Sequence, residues 1–208
     1  MADRLSTGVE VLDRELQGGF PPGSVVAYQA PAASQGELLL YELTRPRQTL
    51  YLTTDRTEDA VAEAIEQTQA PTGNPDIHLI NGEDPVDASR RAFRSAFEDM
   101  TVIIDPIDTL ERVDRGRYET MLNELKNHMR NTKGIAVLHC LQRDHEPELR
   151  PTTQHMADVV FDLDVTVKGG EIDSRLSVRK FRGGRVPADT IKMDLAERVR
   201  VDTSRDIA

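Results

Sequence analysis

Apolar runs alternate with amphipathic segments along the first two thirds of the chain. Consecutive apolar residues predict buried strands at residues 24–28, 49–53, 77–80, 101–105 and 134–139. Apolar residues recur at helical spacing between these runs, which predicts helices at residues 37–44, 58–67, 87–97 and 117–131. Ser6 or Thr7 is the expected cap of an earlier helix that carries Leu12 and Leu16. Such alternation is typical of a parallel sheet covered by helices on both faces.

The last fifty residues follow a different pattern. Strand-like segments at residues 159–167, 171–181, 188–193 and 198–201 are joined by turns such as Gly169-Gly170 and Gly183-Gly184. They predict an antiparallel extension of the same sheet. No internal repeat, low-complexity tract or linker interrupts the sequence, so we expect one α/β domain over residues 1–208.

Two positions at the carboxyl ends of predicted strands are candidates for ligand binding. One is the loop after Tyr28, and the other is Asp105, which follows an apolar strand. A loop between a first strand and a helix, with a second strand ending in Asp, is the layout of a P-loop NTPase. There the loop wraps phosphates with backbone N–H groups, and the acid holds magnesium.

Four segments in order resemble those of a known family. They are Ser6-Thr7-Gly8 to Leu12-Asp13 with Gly18-Gly19-Phe20-Pro21-Pro22-Gly23, then Leu50–Thr54, then Thr101–Asp105, and finally Leu176–Gly184 with Lys180 and Arg182. This series resembles the RecA superfamily, in particular its KaiC branch and the archaeal RadA-like recombinases. The resemblance spans about residues 5–201. It implies a RecA-like P-loop NTPase fold, with a mostly parallel central sheet flanked by helices and an antiparallel C-terminal extension.

The phosphate-binding loop departs from the pattern of that family. The family has Gly-x-x-x-x-Gly-Lys-Thr, whereas this chain has Ala30-Pro31-Ala32-Ala33-Ser34-Gln35-Gly36-Glu37. Gly36 stands in place of the Lys that neutralises the phosphates, and Glu37 stands in place of the Thr or Ser that coordinates magnesium. A carboxylate at a helix N-terminus is favoured by about 0.3–1 kcal/mol, but it repels a polyphosphate. A one-residue gap would bring Gly36 onto the second Gly, but it would put Glu37 at the Lys position.

The candidate nucleotide site is therefore degenerate. Its residues are Ser34, Gln35, Gly36, Glu37 and Asp105. Asp105 is either a residual metal ligand, with Glu37 as its companion, or a hydrogen-bonded acid at a strand end. No resident cofactor is expected, and ATP with magnesium is the alternative.

Acidic residues also follow or flank other predicted elements. The second strand of KaiC-like proteins ends in a Glu pair, one member of which orients the attacking water, whereas this chain has Asp55-Arg56. Asp55 is either a short general base or a cap of the next helix. Asp108 is expected to be a helix cap.

Lys180 and Arg182 are the candidate partner-binding residues. In the KaiC branch this pair reaches across a subunit interface to the γ-phosphate of the neighbour. The resemblance therefore implies a protein partner, either an intact KaiC- or RadA-like homologue or a second copy of the chain. The alternative is a solvated strand whose charges discourage edge pairing.

Charge and composition indicate the cellular environment of the protein and exclude some classes of ligand. The 36 acidic and 26 basic residues give a net charge of −10, and 21 of the basic residues are Arg. This balance indicates a halophilic, archaeal cytoplasmic protein, or else a genome rich in GC, and it makes nucleic acid an unlikely ligand. No apolar run has the length of a membrane span, and no signal peptide is evident. His139, Cys140, His145 and His155 match no zinc pattern.

The sequence thus favours a pseudo-ATPase that is not an enzyme and acts as a regulatory or scaffold subunit in signalling or DNA-related assemblies. Two alternatives stay open. One is an ATPase that binds nucleotide atypically, through loop N–H groups, Asp105 and a neighbour's Lys180 and Arg182. The other is a recombination accessory protein.

Overall fold

In the part of the chain that the structure describes, nine strands form one sheet in the order β3-β2-β4-β5-β1-β6-β7-β8-β9. The computed structural model describes residues 4–82, 84–168, 171–195 and 200–201. The strands are β1 (Val25–Pro31), β2 (Thr49–Thr53), β3 (Asp76–Leu79), β4 (Thr101–Asp105), β5 (Ile135–Gln142), β6 (Val159–Lys168), β7 (Glu171–Phe181), β8 (Ile191–Asp194) and β9 (Arg200–Val201). Strands β1 to β6 pair in parallel, and β6 to β9 pair antiparallel. The predicted α/β architecture with an antiparallel extension is confirmed.

Six helices within the described residues cover the two faces of the sheet. They are α1 (Glu10–Glu15), α2 (Glu37–Glu42), α3 (Glu58–Gln67), α4 (Pro85–Phe93), α5 (Arg115–Thr132) and α6 (Arg150–Met156), with a 3-10 turn at Leu110–Arg112. Successive side chains of β1 belong to different apolar clusters, because side chains alternate between the faces of a strand. Val26 packs in the cluster with α1, α2 and α3, and Val25 packs in the cluster with α4, α5 and α6.

The strand and helix boundaries agree closely with the sequence pattern where that pattern is strong. Residues 49–53, 58–67, 101–105 and 171–181 are assigned as predicted. Strand β1 runs three residues further than predicted, to Pro31, and β5 runs to Gln142. The predicted turn at Gly169-Gly170 lies outside the described residues. None of the described helices is long and apolar enough to cross a membrane.

Two predicted helix caps are wrong. Helix α1 begins after Val9, and no side chain caps it. The hydroxyl of Thr7 instead donates to Asp13 Oδ1 at 2.7 Å, and that of Ser6 donates to Asp13 Oδ2 at 2.5 Å. Asp108 caps no helix either, because it lies in a buried ion-pair cluster and accepts the backbone N–H of Leu141 at 3.1 Å.

That cluster is centred on Arg150, a fully buried side chain at the start of α6. Arg150 Nε donates to Glu111 Oε2 at 2.9 Å, and Nη2 lies 3.0 Å from Asp108 Oδ2. Its Nη1 donates to the carbonyl of Leu141 at 3.1 Å, and the hydroxyl of Thr153 also donates to Glu111. Helix α6 was not predicted, because these ion pairs rather than an apolar stripe attach it to the ends of β4 and β5.

We expect Arg150→Met to lower the free energy of unfolding by about 3–5 kcal/mol, because it leaves two buried carboxylates without their cation. The measurement is urea unfolding followed by circular dichroism. Arg94→Met is the matched control, since Arg94 pairs with Glu124 at 2.8 Å but is 58% exposed. That exposed pair should contribute at most about 1 kcal/mol. Equal losses in the two variants would contradict the assignment of a buried, structural ion pair.

Candidate functional site

The loop after β1 occupies the position predicted for phosphate binding. It consists of residues 32–36, between the end of β1 at Pro31 and the start of α2 at Glu37. No residue in this loop has a positive φ. The Gly36 N–H is directed at Ser34 Oγ, 3.2 Å away, and the Ala32 N–H donates to the carbonyl of Gln142 at 3.3 Å. The loop therefore lacks the alternation of right- and left-handed residues that forms an anion-binding nest.

Gly36 lies where the chain has no room for a side chain. A Cβ added there would be 2.7 Å from Ala30 Cβ, 3.0 Å from Tyr28 Oη and 3.3 Å from Leu163 Cδ2. Its backbone is ordinary right-handed helix, with φ of −56° and ψ of −26°. The Tyr28 hydroxyl also donates to the Gly36 carbonyl at 2.9 Å. Gly36 is thus needed for close packing against β1 rather than for an unusual φ.

Arg56 joins the two carboxylates of the candidate site. Its Nη1 lies 3.0 Å from Glu37 Oε2, and its Nη2 lies 2.6 Å from Asp105 Oδ2. Nη1 also donates to Tyr41 Oη at 3.1 Å, and Tyr41 Oη donates to Glu37 at 2.9 Å. Arg56 follows β2, and β2 neighbours β4 in register, with Thr53 beside Asp105. One guanidinium therefore lies between the acid at the end of β4 and the acid at the start of α2.

The rest of the Asp105 carboxylate is also engaged. Asp105 is 3% exposed; its Oδ1 lies 2.6 Å from His139 Nδ1, and its Oδ2 accepts from the hydroxyl of Tyr51. The ring of His139 stacks on that of Tyr28, with centroids 5.5 Å apart. Each oxygen of Asp105 thus has at least one partner within the chain. We call Glu37, Tyr51, Arg56, Asp105 and His139 the Arg56 cluster.

Electrostatics in the cluster favour the charged forms of Asp105 and Arg56. Burial alone raises the pKa of Asp105, but His139 and Arg56 together lower that pKa to about 2. Burial lowers the pKa of Arg56, and the neighbouring Asp105 carboxylate raises it above the usual value. Burial, followed by the negative charge of Asp105, raises the pKa of Tyr51 well above its usual range, so this phenol stays protonated and donates.

The structure brings together most of the predicted site residues. Ser34, Gln35, Gly36 and Glu37 form the end of the loop and the start of α2, and Glu37 meets Asp105 through Arg56. Among the described residues, no group of three or more His, Cys, Asp or Glu side chains is arranged to hold a metal ion.

Asp55 is not the helix cap that was one alternative. Helix α3 is capped by Thr57, whose side chain accepts from the Ala60 N–H at 3.2 Å. Asp55 itself is largely exposed; desolvation by neighbouring atoms, and then the negative charge of Asp105, raise its pKa. Its role as a general base stays a prediction.

The candidate partner-binding pair makes contacts within its own chain. Lys180 Nζ donates to the carbonyls of Gln154 and His155, at 3.2 and 2.7 Å, near the end of α6. Arg182 Nη1 donates to Asp158 Oδ1 at 2.7 Å. Lys180 thus ties β7 to α6, and Arg182, just after β7, ties to Asp158 between α6 and β6. Their role towards a neighbouring subunit stays a prediction.

A family profile covers nearly the whole chain. The profile of DUF7125, described as a family of unknown function, matches residues 4–208. The chain belongs to DUF7125. A comparison with curated proteins found no match.

Two solved structures have the same fold as this DUF7125 protein. KaiC-like protein PH0186 from the hyperthermophilic archaeon Pyrococcus horikoshii OT3 has a TM-score of 0.77 at 16% identity, covering 97% of this chain and 100% of that chain. Flagellar accessory protein FlaH from Methanocaldococcus jannaschii has a TM-score of 0.77 at 14% identity, covering 98% of this chain and 100% of that chain. The predicted RecA-like, KaiC-type fold is confirmed. At these identities the likeness shows the fold alone.

Three residues of the Arg56 cluster were missed as site residues from the sequence. Arg56 was noted only as the replacement for a Glu, Tyr51 only as part of a strand, and His139 only among residues that match no zinc pattern. A usable signal existed for Tyr41, which follows Glu37 by four positions on a helix and so faces it. No spacing rule signals Arg56, because its partners are 19 and 49 residues away in sequence.

We expect Asp105 to make the stability of this DUF7125 protein pH-dependent in acid. Its pKa is lowered on folding, from 3.8 to about 2, so its contribution is complete above pH 4 and is lost as the pH falls through about 2. That contribution is about 2 kcal/mol. Urea unfolding at a series of pH values should show a shallower acid decline for Asp105→Asn than for the wild type. The control is Asp144→Asn, at an exposed loop position, whose stability should fall in acid as that of the wild type does. The same acid decline in Asp105→Asn would contradict an electrostatic role of the cluster.

We also expect Gly36→Ala to destabilise the protein, by about 1–3 kcal/mol, because its Cβ overlaps Ala30 Cβ. Without that overlap the substitution would stabilise the protein, since Ala is favoured over Gly at helical φ and ψ. Ala30→Gly in the same chain should recover much of the loss. A double-mutant cycle measures this coupling as the departure from additivity. Additive effects would contradict the close packing of the loop on β1.

Proposed function

We propose that this chain is a P-loop-fold protein that does not hold Mg-ATP in the P-loop manner and acts as a regulatory or scaffold subunit. The observation that carries the proposal is the Arg56 guanidinium, which lies between Glu37 and Asp105. One of the chain's own cations thus neutralises the two acids that the family resemblance relates to magnesium and phosphate. Fold does not confer chemistry, so the argument rests on these side chains.

The Arg56 pairs oppose a divalent cation at Asp105. A cation that approached Asp105 Oδ2 would meet the guanidinium 2.6 Å from that oxygen, together with the hydrogen bond from Tyr51. It would therefore have to displace Arg56 and leave its charge partly buried, at 26% side-chain exposure. Leaving a buried charge without its partner is strongly unfavourable.

The loop itself also fits a polyphosphate poorly. Gly36 occupies the position of the family's Lys, and a side chain at this position would clash with Ala30 and Tyr28. The next position, Glu37, adds a negative charge where phosphate would lie. The loop offers no nest of N–H groups, and the nearby Arg56 guanidinium is already engaged by Glu37 and Asp105.

A non-enzymatic role leaves binding as the function, and a protein is the partner that we propose. One structural neighbour is named a flagellar accessory protein, which is consistent with such a role in this fold. We also infer a cytoplasmic, salt-rich setting from the net charge of −10 and the scarcity of Lys, with only 5 residues. Lys180 and Arg182 would serve a neighbouring subunit only after release from α6 and Asp158.

The test is calorimetric titration of millimolar Mg-ATP into the purified chain in roughly molar KCl, a salt level chosen to keep a halophilic fold intact. We expect no saturable heat. The comparator carries Ala30→Gly, Gln35→Gly, Gly36→Lys and Glu37→Thr, and the structure adds Arg56→Ala so that Asp105 is freed. Circular dichroism and gel filtration check that the comparator is folded.

Saturable binding or ATP turnover by the natural chain would overturn the proposal and favour the atypical ATPase. In that case Lys180→Ala and Arg182→Ala would show whether turnover needs a neighbouring subunit. A folded comparator that binds, beside a natural chain that does not, supports the proposal most strongly. If the comparator does not fold, direct titration of the natural chain with a fluorescent ATP analogue still decides the question, since saturable binding would overturn the proposal.

A further inference from the structure

Three glutamine side chains meet at the carboxyl ends of β1 and β5, on the face of the sheet away from α2. Gln29 follows Tyr28 on β1 and so points to the opposite face, and it pairs with Cys140 of β5. Gln142 is the last residue of β5, and Gln154 lies on α6. The connection after β1 leads to α2 on one face, and the connection after β5 leads to α6 on the other. Ligands of open α/β sheets bind in the crevice where successive connections diverge in this way.

A pocket of about 460 Å³ opens in this crevice, and the three glutamines line it. Its volume is within the range of small-molecule sites. Gln154 Nε2 donates to Gln29 Oε1 at 2.6 Å, and Gln142 Nε2 donates to Asp162 Oδ1 at 2.5 Å. We call Gln29, Gln142 and Gln154 the amide trio.

The amide trio has hydrogen-bonding groups that the described part of the chain leaves unused. Gln29 is 6% exposed, yet no described residue accepts from its Nε2. Nor does any described residue donate to Oε1 of Gln142 or Gln154. Buried polar groups are normally hydrogen-bonded, so an unused amide donor beside two amide acceptors fits a ligand that supplies both partners. A primary carboxamide does so, because its oxygen can accept from Gln29 and its nitrogen can donate to the other two amides.

The charged side chains around the pocket balance one another. Arg179 and Lys180 line it together with two acids, Asp162 and Glu146. Lys180 already donates to carbonyls of α6, and Arg179 Nε pairs with Asp162. Nη1 and Nη2 of Arg179 have no partner among the described residues, and this side chain is 67% exposed.

This balance limits the charge that a ligand can carry. Two parallel N–H groups of a guanidinium can hold one carboxylate, and Arg179 has such a pair available. A doubly charged phosphate would gain little, because the two acids in the same wall oppose it. A zwitterion has no net charge and therefore suits a wall without net charge.

We propose that this pocket binds a small zwitterion that carries a primary carboxamide, with free L-glutamine as the test ligand. The amide trio recognises the carboxamide, and Arg179 holds the carboxylate. This inference goes beyond the proposed function and does not rest on it, since the amide trio and the Arg56 cluster lie on opposite faces of the sheet. Such a site would make a subunit without catalysis responsive to an amide-bearing amino acid.

The experiment titrates L-glutamine into the full chain in roughly molar KCl and detects binding by saturation-transfer difference NMR. L-glutamate is the matched ligand, because it has the same length and lacks the amide N–H groups. We expect saturable binding of glutamine and at least about tenfold weaker binding of glutamate. The reason is that a second carboxylate only accepts, so the oxygens of Gln142 and Gln154 would stay without a donor.

Two variants at accessible positions locate the binding. Gln142→Leu removes one amide acceptor, and Arg179→Gln removes the guanidinium; each should weaken glutamine binding about threefold to tenfold. Gln67→Leu is the matched control, because it makes the same change at an exposed position at the end of α3 and should bind as the wild type does. Circular dichroism checks that all three variants are folded.

Other outcomes overturn the proposal. Absence of saturable glutamine binding removes the carboxamide as the ligand. Equal affinity for glutamate, or unchanged affinity in both Gln142→Leu and Arg179→Gln, removes the amide trio and Arg179 as the recognising groups. An amide side chain can also pair with adenine. Binding of adenosine monophosphate in place of glutamine, lost in the same two variants, would therefore assign the pocket to a nucleotide.

Discussion

The carboxyl edge of the parallel sheet depends on the charge of Asp105 being compensated within the chain. Strand β4 is buried along its whole length, and it ends in an acid that is 3% exposed. A buried carboxylate is tolerated only with partners that favour its ionised form. The partners are Tyr51 on β2, Arg56 just after β2, and His139 on β5. The contacts that satisfy Asp105 thereby tie together neighbouring strand ends and the start of α2.

A second arginine, Arg150, also compensates buried carboxylates near this edge of the sheet. Arg150 joins α6 to Glu111 and Asp108, in the segment after β4, and to the carbonyl of Leu141 at the end of β5. Ligands of open α/β sheets bind outside the carboxyl ends of the strands, where side chains are free to reach them. Here two internal guanidinium groups engage the acids of that region. Stability and ligand access therefore compete for the same carboxylates, and the contacts of Arg56 and Arg150 favour stability.

Much of the fold could be predicted because it follows from local pattern. The bounds of β2, β4, β7 and α3 are set by apolar runs and periodicity, and Glu37 in the first turn of α2 was placed correctly. Helix α6 could not be found this way, since the side chain that fixes it is a buried cation. The Arg56 cluster could not be found either, because its geometry arises from long-range packing of strand ends. Periodicity reports which face a residue occupies, and it carries no information on partners across the sheet.

The residues of the loop after β1 also determine how closely the loop packs and what its outer side presents. Ala30 fills the space beside Gly36, so the loop packs closely on β1 without any residue at positive φ. Ala32, Ala33, Ser34 and Gln35 line a groove between the loop and the β6–β7 hairpin. The groove joins this loop to Val165 and Ile172 of the hairpin. The Arg56 contacts on one side of the loop and the groove on its other side are compatible, because the loop packs on β1 through Gly36 and Ala30.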